Sequence, residues 1–243
     1  QANHGRKGKG TRKHSGDEEM STRTSTGIPP LDRLLGGGFH SATINLIYGE
    51  PAAGKTTLTL NTTLHHLRSN RAAKAVYLDV DNKLNVGRLQ QLTGDRDDLL
   101  KRLHLYTPES FDLQSLTLEY LPELEHGDIV IIDSITGLYR GETEDTEKTF
   151  QVNKELNRQV GYILEIAKTT GATMLLTGQV RSIMDTSQIE PVAPRLLRYW
   201  SSTILKLEKT SSGSRQVTLE KPPGIRVPII LTINESGIVE ADD

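Results

Sequence analysis

The stretch that most limits what this chain can become is Gly49-Glu50-Pro51-Ala52-Ala53-Gly54-Lys55-Thr56, a complete G-x-x-x-x-G-K-[ST] pattern. Ahead of it, Ile44 to Tyr48 reads as a buried strand. Behind it, Thr57 to Arg68 reads as a helix, with Leu58, Leu60, Leu64 and Leu67 among its apolar positions. Strand, loop and helix in that order form the context in which such a loop binds phosphate. Gly49 and Gly54 let the backbone turn tightly with its N–H groups inward, and Glu50, Pro51, Ala52 and Ala53 complete the cradle. The following helix presents its positive dipole end to the same spot. Lys55 is expected to reach the β- and γ-phosphates, the Thr56 hydroxyl to hold Mg²⁺, and the Thr57 hydroxyl to lie near the α-phosphate. The bland alternative is a glycine turn that merely joins a strand to a helix, and the flanking pattern argues against it.

The second half of such a site needs a carboxylate at the end of a neighbouring strand. Ile129-Val130-Ile131-Ile132-Asp133 is a run of branched apolar residues ending in Asp, which suits a central parallel strand buried on both faces. Asp133 is therefore the candidate for holding Mg²⁺ through water. Ala75 to Asp79 reads as another strand, ending in Asp79-Val80-Asp81, whose acids are candidates for organising Mg²⁺ or the attacking water. A calcium loop is excluded there, because Leu84 occupies the sixth position where such a loop needs glycine. Gly171 to Gln179 reads as a further buried strand and its exit. Gln179 is an uncharged polar group at a strand end, able to hydrogen-bond a γ-phosphate and move when it leaves.

The rest of the chain supplies an α/β frame. Leu31, Leu34 and Leu35 have helical spacing and are stopped by Gly36 to Gly38. Val86 to Leu92 and Asp97 to Leu103 are expected as short helices, and Leu103 to Tyr106 as a strand. Leu113 to Leu124 carries leucines at helical spacing around Pro122, expected to pack in the core. Phe150 to Thr169 reads as a long amphipathic helix. Residues 181 to 195 are expected as a loop. Then Thr203 to Lys209, Arg215 to Lys221 and Ile229 to Ile233 read as strands, with a hairpin turn at Ser211 to Gly213. That order predicts a mainly parallel sheet flanked by helices, with a C-terminal antiparallel extension.

Charge and composition narrow the function classes. The chain has 243 residues, a net charge of −2 and no cysteine, which excludes a disulfide framework and thiolate metal sites. Residues 1 to 23 hold six basic residues against three acidic ones, a surplus of three, so the remainder stands at −5 and is not a broadly basic nucleic-acid binder. Residues 1 to 20 lack apolar periodicity and are expected to be a disordered basic tail that need not be native, with Met20 as the natural start; residues 21 to 243 form the folded domain. No stretch approaches a membrane span or a secretory signal, so a cytoplasmic protein without membrane partners is the simplest reading.

STGIPPLDRLLGGGF, GEPAAGKTT, VYLDVDNKLNVGRL, IVIIDSITGLYR, LLTGQV and RYWSSTILKLEK, in this order and spacing, resemble the RecA/RadA recombinase superfamily, and within it the archaeal RadB-type paralogues, over about residues 21 to 240. The resemblance implies a RecA-like P-loop core that binds ATP and Mg²⁺ and serves homologous recombination and DNA repair as an accessory factor. It implies Lys55 and Thr56 on the phosphates and Mg²⁺, Asp133 in the Walker B role, Gln179 as γ-phosphate sensor and Arg88 near the adenine. The family's catalytic glutamate falls on Asp81, one methylene shorter, so ATP binding with slow hydrolysis is expected.

The matched DNA-binding loops depart from the family. The first, Arg140 to Phe150, is acidic, with Glu142, Glu144, Asp145 and Glu147; the second, Arg181 to about Arg195, is short. Modest single-stranded DNA binding, or contact with a RadA-type recombinase or another recombination protein, is therefore expected rather than strand exchange. Arg181, Arg195 and Arg198 could touch phosphates or serve in ion pairs. Phe39-His40-Ser41-Ala42 matches the Phe-x-x-Ala polymerisation pattern, but it lies inside the core, where Phe39 is expected to pack beside the P-loop strand. A KaiC-like regulatory ATPase acting through protein partners shares the fold and the STGIPPLD opening and stands as the alternative; a small-molecule kinase lacks an evident lid arginine cluster.

Overall fold

Strands whose residues are apolar on both faces demand helices on both sides, and that is the arrangement found in the computed structural model of the chain. It describes residues 23–84, 86–94, 97–143, 149–183, 189–224, 227–234 and 237–240, the side chains of Val86, Arg88 and Gln91 excepted. The chain opens with β1 (Arg23–Thr24), α1 (Pro29–Leu35) and β2 (Phe39–His40), then β3 (Ile44–Gly49) and α2 (Lys55–Ser69). Next come β4 (Ala75–Asp79), α3 (Val86–Thr93), α4 (Asp97–Leu100), β5 (Leu103–Tyr106), α5 (Phe111–Glu119), β6 (Ile129–Asp133), α6 (Gly137–Glu142) and α7 (Thr149–Thr170). The C-terminal part holds β7 (Thr173–Gly178), β8 (Val180–Ser182), β9 (Ile189–Pro191), α8 (Pro194–Trp200), β10 (Thr203–Lys209), β11 (Arg215–Lys221), β12 (Ile229–Asn234) and β13 (Gly237–Glu240).

Nine of these strands form one sheet in the order β13-β12-β11-β10-β3-β7-β6-β4-β5. From β10 through β5 the neighbours are parallel, and β11, β12 and β13 extend the sheet antiparallel beyond β10. The RecA-like α/β class and its antiparallel C-terminal extension thus stand as expected. Alternation along the strands divides the core. Leu46, Tyr48, Val130, Ile132 and Met174 face α5, α7 and α8, where Phe111, Leu156, Val160, Ile163 and Leu197 are buried. Ile47, Tyr77, Ile131, Leu175 and Leu205 face α1 and α2, where Leu31, Leu35, Leu58 and Leu67 are buried. Phe39 is fully buried among this second group, so it packs as expected beside the P-loop strand.

Two local expectations require correction. The helix expected at Leu113 to Leu124 runs instead over Phe111–Glu119, because Ser110 caps it by accepting the Leu113 N–H at 3.1 Å. Its leucines do not all enter the core: Leu118 is buried, whereas Leu113 and Leu116 are exposed. The segment expected as a loop from 181 to 195 contains β8 and β9 and the start of α8, which begins at Pro194 and anchors Leu197 in the core. Residues 1 to 20, most of the acidic stretch of the first loop and residues 184 to 188 of the second lie outside the described residues. Among the described residues, no helix is long and apolar enough to cross a membrane.

Candidate functional site

The parallel strands end at one edge of the sheet, and every candidate at a strand end or loop arrives there. β3 lies between β10 and β7, and β6 between β7 and β4, so the loop after β3 sits one strand away from Asp133. The backbone of the loop fits only glycine at two points. A Cβ on Gly49 would stand 2.1 Å from the Leu207 carbonyl oxygen, and Gly54 adopts φ +100 directly before α2. Ala53 N–H donates to the Glu50 carbonyl at 3.2 Å and closes the turn. A cavity of about 290 Å³ opens over the loop, lined by Ala52, Gly54, Lys55, Thr56, Thr57 and three side chains from elsewhere: Lys83, Arg215 and Ile233.

Lys55 is 8% exposed and folds back to donate to the Gly49 and Glu50 carbonyls at 2.7 and 2.8 Å. Burial, then the charge of Lys83, pushes its pKa down to about 8. A cation held at such a cost is ready to gain from an arriving anion.

Three carboxylates stand at adjoining strand ends, and their hydrogen bonds separate them. Asp79 is buried and accepts the N–H groups of Lys83 and Leu84 at 3.0 and 2.7 Å, which makes it the brace of the 79–84 turn. Asp133 is buried and accepts from Tyr77 at 3.0 Å on Oδ2 and from the Thr177 hydroxyl on Oδ1. Burial and the Asp133 charge hold the Tyr77 phenol well above its ordinary pKa, so it remains a donor. Tyr77 also lies 2.9 Å from the Thr59 hydroxyl on α2. Asp81 faces the site: Oδ1 takes the Ser134 hydroxyl at 3.3 Å and the Gln179 amide at 3.4 Å, and Oδ2 pairs with Lys83 at 2.5 Å. The Asp133–Ser134 peptide is cis.

Sequence reasoning named Lys55, Asp81, Asp133 and Gln179, and the structure brings all four to this edge. It did not name Ser134, whose hydroxyl meets Asp81, or Gly137, where a Cβ would stand 2.3 Å from Asp81 Oδ1. Nor did it name Lys83 or Arg215, whose Nε lies buried over the loop without a hydrogen-bond partner. Only the charge of Lys83 beside Asp81 was visible in the sequence; Arg215 arrives through the antiparallel extension. The backbone of Arg88 is in α3, and its side chain lies outside the described residues. Arg181 and Arg198 are in ion pairs, with Glu190 at 2.8 Å and Glu220 at 3.2 Å.

The donor set fits Mg²⁺ rather than a protein-caged metal. A hydroxyl at Thr56 and a carboxylate at Asp133 are hard oxygen donors, and Asp133 keeps lone pairs beyond the two hydroxyls it accepts. Among the described residues there is no group of three or more His, Cys, Asp or Glu able to hold a metal. Mg²⁺ needs none, since it keeps most of its shell for water and phosphate.

Sheet order and loop placement define the class: a RecA-like α/β domain with its glycine loop at the carboxyl edge between neighbouring parallel strands. A family model described as Rad51 matches residues 18–241, and the chain belongs to that family. It is 38% identical over 193 residues to the DNA repair and recombination protein RadB of Methanococcus maripaludis strain C5, covering 79% of this chain and 87% of that one. A relative of the same name from Halobacterium salinarum is 29% identical over 236 residues, covering 93% of this chain and 99% of that one. A crystal structure of the RadB recombinase superposes with a TM-score of 0.76 at 32% identity, covering 90% of this chain and all of that one.

Proposed function

We propose that the chain binds ATP with Mg²⁺ at the loop from Gly49 to Thr57, hydrolyses it slowly, and acts in the cytoplasm as an accessory factor in homologous recombination and DNA repair. The observation that carries this is the convergence of Lys55, Asp133, Asp81 and Gln179 at one sheet edge, in a chain of the Rad51 family. Lys55 takes the β- and γ-phosphates, and Thr56 with Asp133 holds Mg²⁺, which neutralises charge on the phosphates. Asp81 orients the attacking water, Gln179 senses the γ-phosphate, and Arg88 lies by the adenine. Slow turnover follows from the short reach of Asp81 and from its occupation by Lys83.

The nucleotide state is read by single-stranded DNA or by a recombinase. Binding to DNA is modest, because Arg181 and Arg198 are partnered by carboxylates. The test is anisotropy of labelled single-stranded DNA with ATP, with ADP and without nucleotide across a salt series. Salt-sensitive, nucleotide-dependent binding is the expected result. Retained ATP affinity without DNA binding would leave a regulatory ATPase that works through protein partners.

A further inference from the structure

Lys83 belongs to the same cavity as the phosphate loop, yet the P-loop reading gives it no task. Its backbone is fixed. The buried Asp79 carboxylate accepts the N–H groups of Lys83 and Leu84, and Asn82 just before them adopts φ +51, so the turn holds the Lys83 Cα at the rim. Its side chain is not fixed in the same way: it is 51% exposed and is tied by one ion pair to Asp81, whose own side chain is 11% exposed. An ion pair with one end in water is weak and readily exchanged. Asp81 is meanwhile fully engaged, with Oδ1 toward Ser134 and Gln179 and Oδ2 toward Lys83. The carboxylate proposed to orient water is thus covered by a half-exposed lysine.

We propose that Lys83 is a second phosphate-binding cation that discriminates ATP from ADP: a terminal phosphate draws it off Asp81, which frees that carboxylate for water. This deepens the ATP-site reading and rests on it. A doubly charged terminal phosphate offers Lys83 more than one carboxylate oxygen does, whereas ADP leaves the γ position empty and Lys83 on Asp81. The repulsion that Lys83 exerts on Lys55 is relieved by the same event, because two cations around one polyanion no longer face each other uncompensated. Arg215 lines the same cavity, but the cation that Asp81 holds is Lys83, so the exchange falls to Lys83.

The test is a set of dissociation constants for ATPγS and for ADP, both with Mg²⁺, measured by competition against a fluorescent nucleotide. The proteins are the unaltered chain, Lys83→Gln, Lys83→Arg, Asp81→Asn and the Lys83→Gln/Asp81→Asn double variant. Lys83→Gln is expected to weaken ATPγS about tenfold, the scale of one charge-assisted hydrogen bond, and to leave ADP within about twofold. Lys83→Arg keeps the charge and restores the preference for ATPγS. Asp81→Asn releases Lys83 and tightens ATPγS about threefold, a gain that vanishes in the double variant. Lys83→Gln weakening both nucleotides alike, or neither, would overturn the proposal while the loop reading stands. Failure of the unaltered chain to bind either nucleotide would overturn the loop reading itself. Unfolding of each variant without nucleotide reports any loss of fold separately.

Discussion

Replacing Lys55 by Met should make the nucleotide-free protein more stable and the nucleotide-saturated protein less so. Lys55 is buried, and its pKa falls to about 8 from 10.5 in the unfolded chain. Keeping it protonated in the folded state at neutral pH therefore costs about 3 kcal/mol. The substitution also removes its hydrogen bonds to the Gly49 and Glu50 carbonyls, at about 1 kcal/mol each. The net expectation at pH 7 is a gain of about 1 kcal/mol. The pH dependence has a fixed sign. Below pH 8 both folded and unfolded chains hold the proton and the cost is complete. Between about 8 and 10.5 only the unfolded chain still holds it, so the unaltered protein gains stability as pH rises; above that window the cost is gone and Lys55→Met is the less stable. Saturating Mg·ATP at pH 7 stabilises the unaltered protein by mass action and leaves the variant where it was, which inverts the order. Urea unfolding at pH 7 and near pH 10, with and without nucleotide, measures all of this. A variant destabilised equally at both pH values would refute the burial argument, and ATP stabilising both proteins equally would refute the site.

Other substitutions address the remaining groups at the site. Gly137→Ala places a Cβ against Asp81 Oδ1, so it should change ATPγS affinity by no more than about threefold, the scale expected of Asp81→Asn, and slow steady-state phosphate release by about tenfold or more; unchanged turnover would remove Asp81 from the mechanism. Tyr77→Phe takes one of the two hydroxyl donors from Asp133 and should cost about 1 to 2 kcal/mol in urea unfolding, and a neutral result would show that Thr177 alone satisfies the carboxylate. Burial lowers the pKa of His66, whose Nε2 lies 2.6 Å from the Gly127 carbonyl. As pH falls through about 6.5 the unfolded chain takes the proton first, so stability declines there, and His66→Gln should flatten that limb of the stability curve.

What could be read from the sequence, and what could not, divides along physical lines. β3, β6 and β7 are long apolar runs buried on both faces, and a strand of that kind has one home in an α/β sheet. α8 could not be read so easily. Pro194 looked like a loop residue, and seven residues carry too little periodicity to announce a helix; what fixes it is Leu197 inserted into the core. In α5 the cap at Ser110 was in plain view but the leucine pattern drew attention past Glu119 toward Pro122. At the site, the residues that belong to local motifs were legible, and those delivered by tertiary packing were not. Arg215 and Ile233 come from β11 and β12, more than 150 residues after the loop they cover, and no spacing in the chain connects them to it.

Asp79, Asp81 and Asp133 show why motif and structure had to be combined. All three sit at or just past adjoining strand ends, and from the sequence each was a candidate for the metal or the water. Two backbone N–H groups, one on each oxygen, bind Asp79 to the 79–84 turn, so its role there is to brace that turn. Hydroxyl donors claim one lone pair on each oxygen of Asp133 in a buried place and leave the others open, an arrangement that would suit a carboxylate facing a hydrated cation. Asp81 is held by an amide, a hydroxyl and a lysine, each able to reorient without disturbing a strand. Of the three, it is the one whose surroundings can change with what occupies the loop. The shortened side chain, which by itself argues for poor catalysis, thus coincides with the most adjustable position, and on the proposed reading a nucleotide-dependent change would fall at residues 81, 83 and 179 rather than in the loop from Gly49 to Thr57.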